Sequence, residues 1–195
     1  PGGMERLGLG PDICLALNPK LAYGRLTGWG QDGPLAKTVG HDINYLALTG
    51  ALSMIGSREQ GPTIPLNLVA DLGGGALYMA FGLLAAVMSA RDTGKGQVVD
   101  AAIIDGVSSM LTTFRGFSAA GDWTHEYESN FIDGGAPWYA CYETADGKYI
   151  SVGAVERKFY AELLDGMGLS HDYLDRQMDR ASWQEQKAVF AEVFR

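Results

Sequence analysis

The longest apolar run of the chain constrains its fold more than any other segment. Residues 72–90 contain no charged side chain and suit one continuous helix from about Asp71 to Arg91. Gly94 follows where a helix stop is expected. A run of this length is also long enough to cross a membrane. Four glycines inside it, and the lack of aromatic belts and basic flanking loops, favour close packing in a soluble fold, and we expect no membrane span.

Strand-like segments lie on both sides of this helix. Residues 21–27 follow the turn signal Asn18-Pro19, and residues 96–103 follow the helix. The loop of residues 28–34 matches G-x-G-x-x-G, but no helix opens after it, so a dinucleotide-binding fingerprint is not supported. We interpret it as a tight loop at the carboxyl end of a strand, a position that lines ligand crevices in α/β sheets.

The second half of the chain has a different character. Residues 118–136 are rich in Gly, Asp and Asn, as in a connector, and a domain boundary is expected between about 105 and 140. Two strand-like runs then flank Ala145-Asp146-Gly147, which is a strong hairpin signal. We predict hairpin strands at residues 138–144 and 148–154, and helices at 42–55, 105–117, 157–167 and from 183 onward.

Composition narrows the function classes. The 195-residue chain is 47% apolar, which is enough for a core, and its net charge of -8 argues against a nucleic-acid partner. Its two cysteines, Cys14 and Cys141, fit a reducing compartment and offer no paired metal-ligand spacing. The chain does not begin with Met, and its last residues stop within an amphipathic helical pattern. We therefore expect a fragment that lacks both termini of a longer protein.

Two short segments each place an ionisable side chain at the expected start of an apolar helix. They are His41 in G-H-D-I-N-Y and Asp71 in N-L-V-A-D-L-G-G-G. His41 is either a helix-flanking residue satisfied by a backbone group or a general base. Asp71 is either a helix N-cap or a carboxylate beside three glycines that let a ligand approach the backbone. In the second interpretation, free helix N–H groups near Asp71 stabilise a developing oxyanion.

Glu156 ends the hairpin segment and precedes a predicted helix. It is either another helix-start acid or a carboxylate that orients and polarises a histidine, and spacing alone does not distinguish the two. The other histidines, His125 and His171, lie in polar loops, and we interpret them as solvated surface groups.

Four segments carry a family resemblance. They are G-H-D-I-N-Y (40–45), P-L-N-L-V-A-D-L-G-G-G (65–75), G-K-G-Q-V-V-D-A (94–101) and D-G-G-A-P (133–137). In order and over essentially the whole chain, they resemble the α-methylacyl-CoA racemases of the family III CoA-transferase (CaiB/BaiF) superfamily. T-G-W-G-Q (27–31) and G-K-G-Q (94–97) are shared by the superfamily and indicate only the fold. The His41 segment and Glu156 are typical of the racemase branch.

The resemblance implies an α/β fold. A Rossmann-like parallel sheet domain, incomplete here, precedes the start of a smaller α+β domain, and two chains interlock as a dimer. Residues 1–104 are then part of the large CoA-binding domain, 105–137 a linker with a helix, and 138–195 part of the small domain. A homodimer is implied for the full-length protein, in the cytoplasm of a bacterium, or in a peroxisome or mitochondrion of a eukaryote.

The resemblance also implies roles for single residues. His41 and Asp71 are bases on opposite faces of the substrate's C2, and Glu156 pairs with His41 and holds its tautomer. Arg6 matches an arginine that contacts CoA. The remaining implied contacts are support near Asp71 from Asn67 and Gly73, and a CoA thioester site lined by Gly40, His41, Asp42, Ile43, Asn44 and Tyr45.

The implied activity is racemisation at C2 of 2-methylacyl-CoA thioesters by 1,1-proton transfer through an enolate. This isomerase reaction needs no cofactor, since CoA is part of the substrate. Two alternatives stay open. Family III CoA-transferases use the aspartate that matches Asp71 as a nucleophile and generally lack the histidine. A non-catalytic acyl-CoA-binding homologue is the other alternative.

Overall fold

The computed structural model describes residues 1–195 and divides them into two compact units. Unit 1 comprises Pro1–Ser53 and Ile64–Phe117, and unit 2 comprises Met54–Thr63 and Ser118–Arg195. This division differs from the expected one, which placed residues 105–137 in a linker. Residues 105–117 belong to unit 1 because a helix there packs on the core of that unit, and residues 118–137 belong to unit 2.

The chain forms α-helices, strands, one π-helix and two short 3-10 helices. The α-helices are α1 (Gly3–Arg6), α2 (Pro11–Leu17), α3 (Asp42–Thr49), α4 (Tyr78–Thr93), α5 (Ile103–Met110), α6 (Thr112–Ala120), α7 (Arg157–Met167), α8 (Asp172–Asp175) and α9 (Trp183–Phe194). The strands are β1 (Ala22–Thr27), β2 (Gly56–Ser57), β3 (Gly61–Pro62), β4 (Gln97–Ala102), β5 (Tyr139–Glu143) and β6 (Tyr149–Gly153). The π-helix is Leu68–Leu77, and the 3-10 helices are Ala51–Met54 and Arg180–Ser182.

Unit 1 contains a parallel pair of strands. β1 and β4 run side by side, with Ala22 opposite Gln97 and Thr27 opposite Ala102. Parallel strands need a long crossover connection, and α4, which packs on both strands, is part of it. Both strands lie within one residue of their predicted bounds, and the α/β class with a parallel sheet is confirmed.

The long apolar helix is confirmed, but it begins three residues earlier than predicted. It starts as a π-helix at Leu68 and continues as α4 to Thr93. Gly94 follows in the left-handed conformation, with a φ of 74°, which confirms the predicted stop. Asp71 therefore lies in the first turn of the helix, and its interpretation as the N-cap is wrong.

Glycines let the π-helix contact α5 backbone to backbone. A Cβ on Gly106 would lie 1.9 Å from the carbonyl oxygen of Gly74, and a Cβ on Gly74 would lie 2.7 Å from Val107 Cγ2. A Cβ on Gly75 would lie 2.9 Å from Ile103 Cγ1. The space beside Gly74 and Gly75 is thus filled by α5, so the expectation that these glycines admit a ligand is wrong.

The outer face of the long helix is apolar. Leu77, Phe81, Leu84 and Met88 follow one another at helical spacing, and each is more than half exposed. On another face, Ala86 and Ala90 are buried. Leu68–Thr93 is long and apolar enough to cross a membrane, a property that it shares with the core helices of soluble proteins.

Helix α3 begins at Asp42 as predicted, but it ends six residues early. Gly50, with a φ of 87°, terminates it, and the chain continues in the 3-10 helix. Glycine adopts this left-handed conformation without a steric cost, which explains why the helix ends there. The short helices α1 and α2 were not predicted, although Pro11 at the first position of α2 is a recognised start signal.

Unit 2 is built on the predicted hairpin and helices. β5 and β6 pair antiparallel, with Tyr139 opposite Gly153, and Gly147 in the turn has a φ of 74°. α7 has the predicted bounds, and α9 begins at Trp183 as predicted. The core of this unit is a cluster of buried residues: Ala136, Trp138, Tyr142, Ala154, Tyr160, Leu164, Trp183 and Phe190.

We predict that Gly106→Ala destabilises unit 1, because the new methyl group would clash with the carbonyl of Gly74. The free energy of unfolding, measured in urea, should fall by about 2 kcal/mol, as for overpacked cores. Gly116→Ala in α6 is the matched control, since a Cβ there meets nothing within 4 Å. It should be neutral or stabilising by up to ~1 kcal/mol. An equal loss in both variants would contradict the packing described for Gly106.

Candidate active site

The carboxylate of Asp42 connects the two segments that carry His41 and Asp71. Asp42 is 4% exposed, and its Oδ2 accepts hydrogen bonds from the backbone N–H groups of Ala70 (2.9 Å) and Asp71 (2.8 Å). Hydrogen bonds to a carboxylate are stronger than those between neutral groups. Because Asp42 follows His41 in the chain, one side chain joins the N-terminus of α3 to the first turn of the π-helix.

Asp71 is half-buried, and its pKa is affected by both Asp42 and His41. Burial raises the pKa of Asp71, the nearby Asp42 carboxylate raises it further, and the positive charge of His41 lowers it. The effect of His41 means that its imidazole lies within electrostatic range of the Asp71 carboxyl group. The structure thus links the two predicted bases through Asp42, and the net shift makes Asp71 easier to protonate than an ordinary aspartate.

His41 is exposed at the residue before α3. Its backbone N–H donates to Oδ1 of Asn44 (2.9 Å), and its carbonyl accepts from the N–H groups of Asn44 and Tyr45. These bonds fix the backbone of His41 at the start of the helix and leave the residue accessible to solvent.

Tyr45 anchors the segment that precedes α3. It is 7% exposed, its hydroxyl donates to the carbonyl of Gly40 (2.5 Å), and its ring meets that of Trp29 edge to face at 4.7 Å. A Cβ on Gly28 or Gly40 would lie within 2.8 Å of the Tyr45 side chain, so both positions need glycine. Burial raises the pKa of Tyr45, and the charge of Asp71 raises it further. Tyr45 thus fixes the residue before His41.

The backbone donors next to Asp71 are occupied, whereas two donors next to His41 are free. The N–H groups of Ala70 and Asp71 are taken by Asp42, and that of Leu72 donates to the carbonyl of Asn67 (3.3 Å). These three N–H groups near Asp71 are therefore not free, contrary to the expectation. At the start of α3, the N–H groups of Asp42 and Ile43 form no hydrogen bond, as is usual in the first turn of a helix.

The other predicted residues of this region surround the pair. Asn67 is exposed, precedes the π-helix and does not cap it with its side chain. Gly73 lies within the π-helix, where a Cβ would come 3.2 Å from the carbonyl oxygen of Leu68. Ile43 and Asn44 are exposed on the first turn of α3, directly after the His41–Asp42 pair.

Arg6 lies at the end of α1, beside a cavity of about 600 Å³. Arg25 lines the same cavity and is paired with Glu5 (2.9 Å), whereas Arg6 forms no ion pair. Neither His41 nor Asp71 lines this cavity. The structure thus places a free guanidinium beside a cavity of unit 1 that the two bases do not line.

Glu156 lies in unit 2, at the residue before α7. It is exposed, its side chain does not cap α7, and it forms no ion pair. Its carboxylate is therefore not engaged as a helix cap. The pairing of Glu156 with His41 stays a prediction.

The role of Asp42 was missed by sequence reasoning, which placed it only in the implied thioester site. An acidic residue in the first turn of a helix is usually a solvated partner of the helix dipole. The backbone N–H groups that bind the Asp42 carboxylate lie 28 and 29 residues further along the chain. The one sequence signal was that Asp42 lies between His41 and an apolar residue, and this signal does not indicate which groups Asp42 binds.

Comparisons with known proteins establish the family. Residues 1–195 match the family model described as CoA-transferase family III. The chain is 47% identical to alpha-methylacyl-CoA racemase of Mus musculus and 46% identical to that of Homo sapiens, in each case over 193 residues. These alignments cover 99% of this chain and 51% and 50% of the two relatives.

A solved structure agrees with the fold. The crystal structure of a CAIB/BAIF family protein from Brucella suis aligns with a TM-score of 0.74 at 24% identity, over 99% of this chain and 51% of that chain. The chain belongs to CoA-transferase family III. It spans about half the length of the curated relatives it matches.

We predict that Asp71→Asn makes the protein more stable at neutral pH. Because the pKa of Asp71 is raised on folding, its ionised form is disfavoured in the folded state, and the carboxyl group costs stability as the pH rises above its ordinary pKa. The gain in Tm should be full above the raised pKa of Asp71. It should vanish below the ordinary carboxyl pKa, in melts from about pH 3 to about pH 8.

Asp146→Asn is the matched control of opposite sign. The side chain of Lys148, then that of Thr144, lowers the pKa of Asp146 by hydrogen bonding. Its contribution to stability is therefore present above the ordinary carboxyl pKa and is lost as the pH falls through the lowered pKa of Asp146. This variant should lose stability at neutral pH and match the parent in acid. A change of the same sign in both variants would contradict the assigned environment of Asp71.

Proposed function

We propose that the full-length protein that contains this chain is an isomerase that racemises C2 of 2-methylacyl-CoA thioesters by two-base proton transfer. The observation that carries the proposal is the pair of His41 and Asp71, joined through the carboxylate of Asp42. The similarity of nearly the whole chain to two proteins named alpha-methylacyl-CoA racemase supports the same assignment.

Two-base racemisation needs two groups in opposite protonation states. One group takes the proton from C2, and the electron pair moves into the thioester carbonyl to give an enolate. The conjugate acid of the other group then delivers a proton to the opposite face of C2. The raised pKa of Asp71 makes its carboxyl group easier to protonate than that of an ordinary aspartate, which suits the acid role in this scheme. In the reverse direction the two roles are exchanged.

The enolate oxygen needs hydrogen-bond donors as its charge develops. The unbonded N–H groups of Asp42 and Ile43 are adjacent to His41 in the chain, and the helix dipole adds positive potential at the same place. We therefore assign the enolate oxygen to the start of α3. The N–H groups of Ala70 and Asp71 are already bonded to Asp42 and do not serve this purpose. In this scheme the chemistry uses side chains and backbone donors of the chain and no cofactor beyond the CoA of the substrate.

Two further residues have supporting roles in the proposal. Arg6 has a free guanidinium beside a cavity, which suits an anionic group of CoA. Glu156 has a free carboxylate, which suits a partner that fixes the tautomer of His41. Dimerisation of the full-length protein and its compartment remain predictions from the family resemblance.

The description of the family favours a CoA-transferase as the second candidate. In that reaction the Asp71 carboxylate attacks the thioester carbonyl, CoA leaves as the thiolate, and an acyl anhydride forms on Asp71. The carboxylate of Asp71 forms no side-chain hydrogen bond and is compatible with this role. Trapping of an acyl or CoA adduct on Asp71 would favour this candidate.

We predict that the full-length protein, given one enantiomer of a 2-methylacyl-CoA in deuterated water, incorporates deuterium at C2 while it inverts the centre. Solvent deuterium enters because the delivering acid exchanges its proton with water. The measurement is mass spectrometry of the thioester together with chiral analysis. Transfer of CoA to an acceptor acid without deuterium at C2 would contradict racemisation and support the transferase.

Variants that lack one of the two bases test the two-base mechanism more specifically. Asp71→Asn and His41→Asn should each lose at least about 10²-fold in racemisation. Each should still exchange the α-hydrogen of one enantiomer without inversion, because the remaining base works on its own face of C2. The two variants should prefer opposite enantiomers. Asp32→Asn, at an exposed loop residue, is the control and should retain full activity.

An absence of exchange in the parent, with CoA binding intact in all variants, would point to the non-catalytic acyl-CoA-binding alternative.

A further inference from the structure

The free carboxylate of Glu156 belongs to a stretch of backbone that hydrogen bonds hold in place. On its N-terminal side, the N–H of Ala154 donates to the carbonyl of Trp138 (2.9 Å). The carbonyl of Val155 accepts a hydrogen bond from Nε2 of Gln177 (2.8 Å). The two residues before Glu156 are therefore bound, while Glu156 itself has no side-chain partner in unit 2.

The residue after Glu156 is bound to the same part of unit 2. The guanidinium of Arg157 donates to the carbonyl of Leu174 (2.8 Å) and pairs with Asp175 (2.6 Å). Residues 174–177 thus form a frame that binds the backbone carbonyl before Glu156 and the side chain of the residue after it. The Arg157 contacts are exposed and contribute little to stability, so the buried side of this frame is the stronger one.

Gln177 is the buried member of the frame, with 5% of its surface exposed. Its backbone carbonyl accepts hydrogen bonds from the indole N–H groups of both Trp138 (3.1 Å) and Trp183 (2.8 Å). The two indole rings meet edge to face at 6.1 Å. Burying an amide side chain is costly unless the amide is hydrogen-bonded, and here its donor goes to the residue before Glu156.

We propose that Gln177 is a positioning residue for the reaction: it fixes the carbonyl of Val155 and thereby the direction in which the Glu156 carboxylate leaves the turn. This inference rests on the proposed function, because it takes Glu156 to be the partner of His41. A carboxylate that orients an imidazole must itself be preorganised, since misplacement by about 1 Å can cost up to about 10²-fold in rate.

The test is a double-variant cycle on the full-length protein. Gln177→Met keeps the size of the side chain and removes the donor. We expect kcat for racemisation to fall about 10-fold, with KM changed by less than about twofold. In a Glu156→Gln background, Gln177→Met should cause no further loss of kcat, because its effect passes through Glu156.

A matched control separates positioning from general stability. Tyr160→Phe removes another buried hydrogen bond of the same core, from the Tyr160 hydroxyl to Oε1 of Gln186 (2.6 Å), and leaves the turn untouched. It should lower Tm as Gln177→Met does and leave kcat unchanged. Arg157→Met loosens the exposed side of the frame and decides the question if Gln177→Met does not fold. Its smaller loss of kcat should also disappear in the Glu156→Gln background.

The outcomes separate the inference from the function on which it rests. A wild-type kcat in Gln177→Met, or a loss that adds fully to that of Glu156→Gln, would overturn the positioning role and leave the proposed function intact. A wild-type kcat in Glu156→Gln would instead remove the role of Glu156, and the inference about Gln177 with it. Loss of kcat in Tyr160→Phe equal to that in Gln177→Met would also overturn the inference, because the effect would then be one of stability.

Discussion

The buried carboxylate of Asp42 is the interaction on which the candidate site depends. It satisfies two backbone N–H groups of the π-helix and, through its place in the chain, ties His41 to Asp71. The same negative charge adds to burial in raising the pKa of Asp71. One side chain therefore both connects the two bases and makes Asp71 easier to protonate than an ordinary aspartate, which suits a group that must act as an acid in one direction of proton transfer.

The fold around Asp42 keeps its two partners in place. On one side, the backbone of Gly74 meets that of Gly106, so the π-helix is seated directly on α5. On the other side, the hydroxyl of Tyr45 holds the carbonyl of Gly40 at the entry to α3. Each contact depends on the absence of a Cβ at a glycine. Backbone groups are thus brought close enough for a buried carboxylate to join two elements distant in sequence.

The sequence predicted what local chemistry determines. Asp146-Gly147 specifies the hairpin turn and Gly94 the end of the long helix, and both have the expected conformation. The early start of the π-helix, the occupied N–H groups at Asp71 and the burial of Asp42 were not predictable, because each depends on a contact between segments 28 or 29 residues apart. The family resemblance identified the pair of bases, but it did not reveal what joins them.

An NMR titration of the Asp71 carboxyl group tests most directly whether the Asp42 carboxylate acts on Asp71. The pKa of Asp71 should lie above that of an ordinary aspartate in the native protein. It should fall in Asp42→Asn, where the amide oxygen can still accept both N–H groups but the charge is gone, and burial should keep it above the ordinary value. A pKa at or below the ordinary range in the native protein, or one unchanged by Asp42→Asn, would contradict the claim.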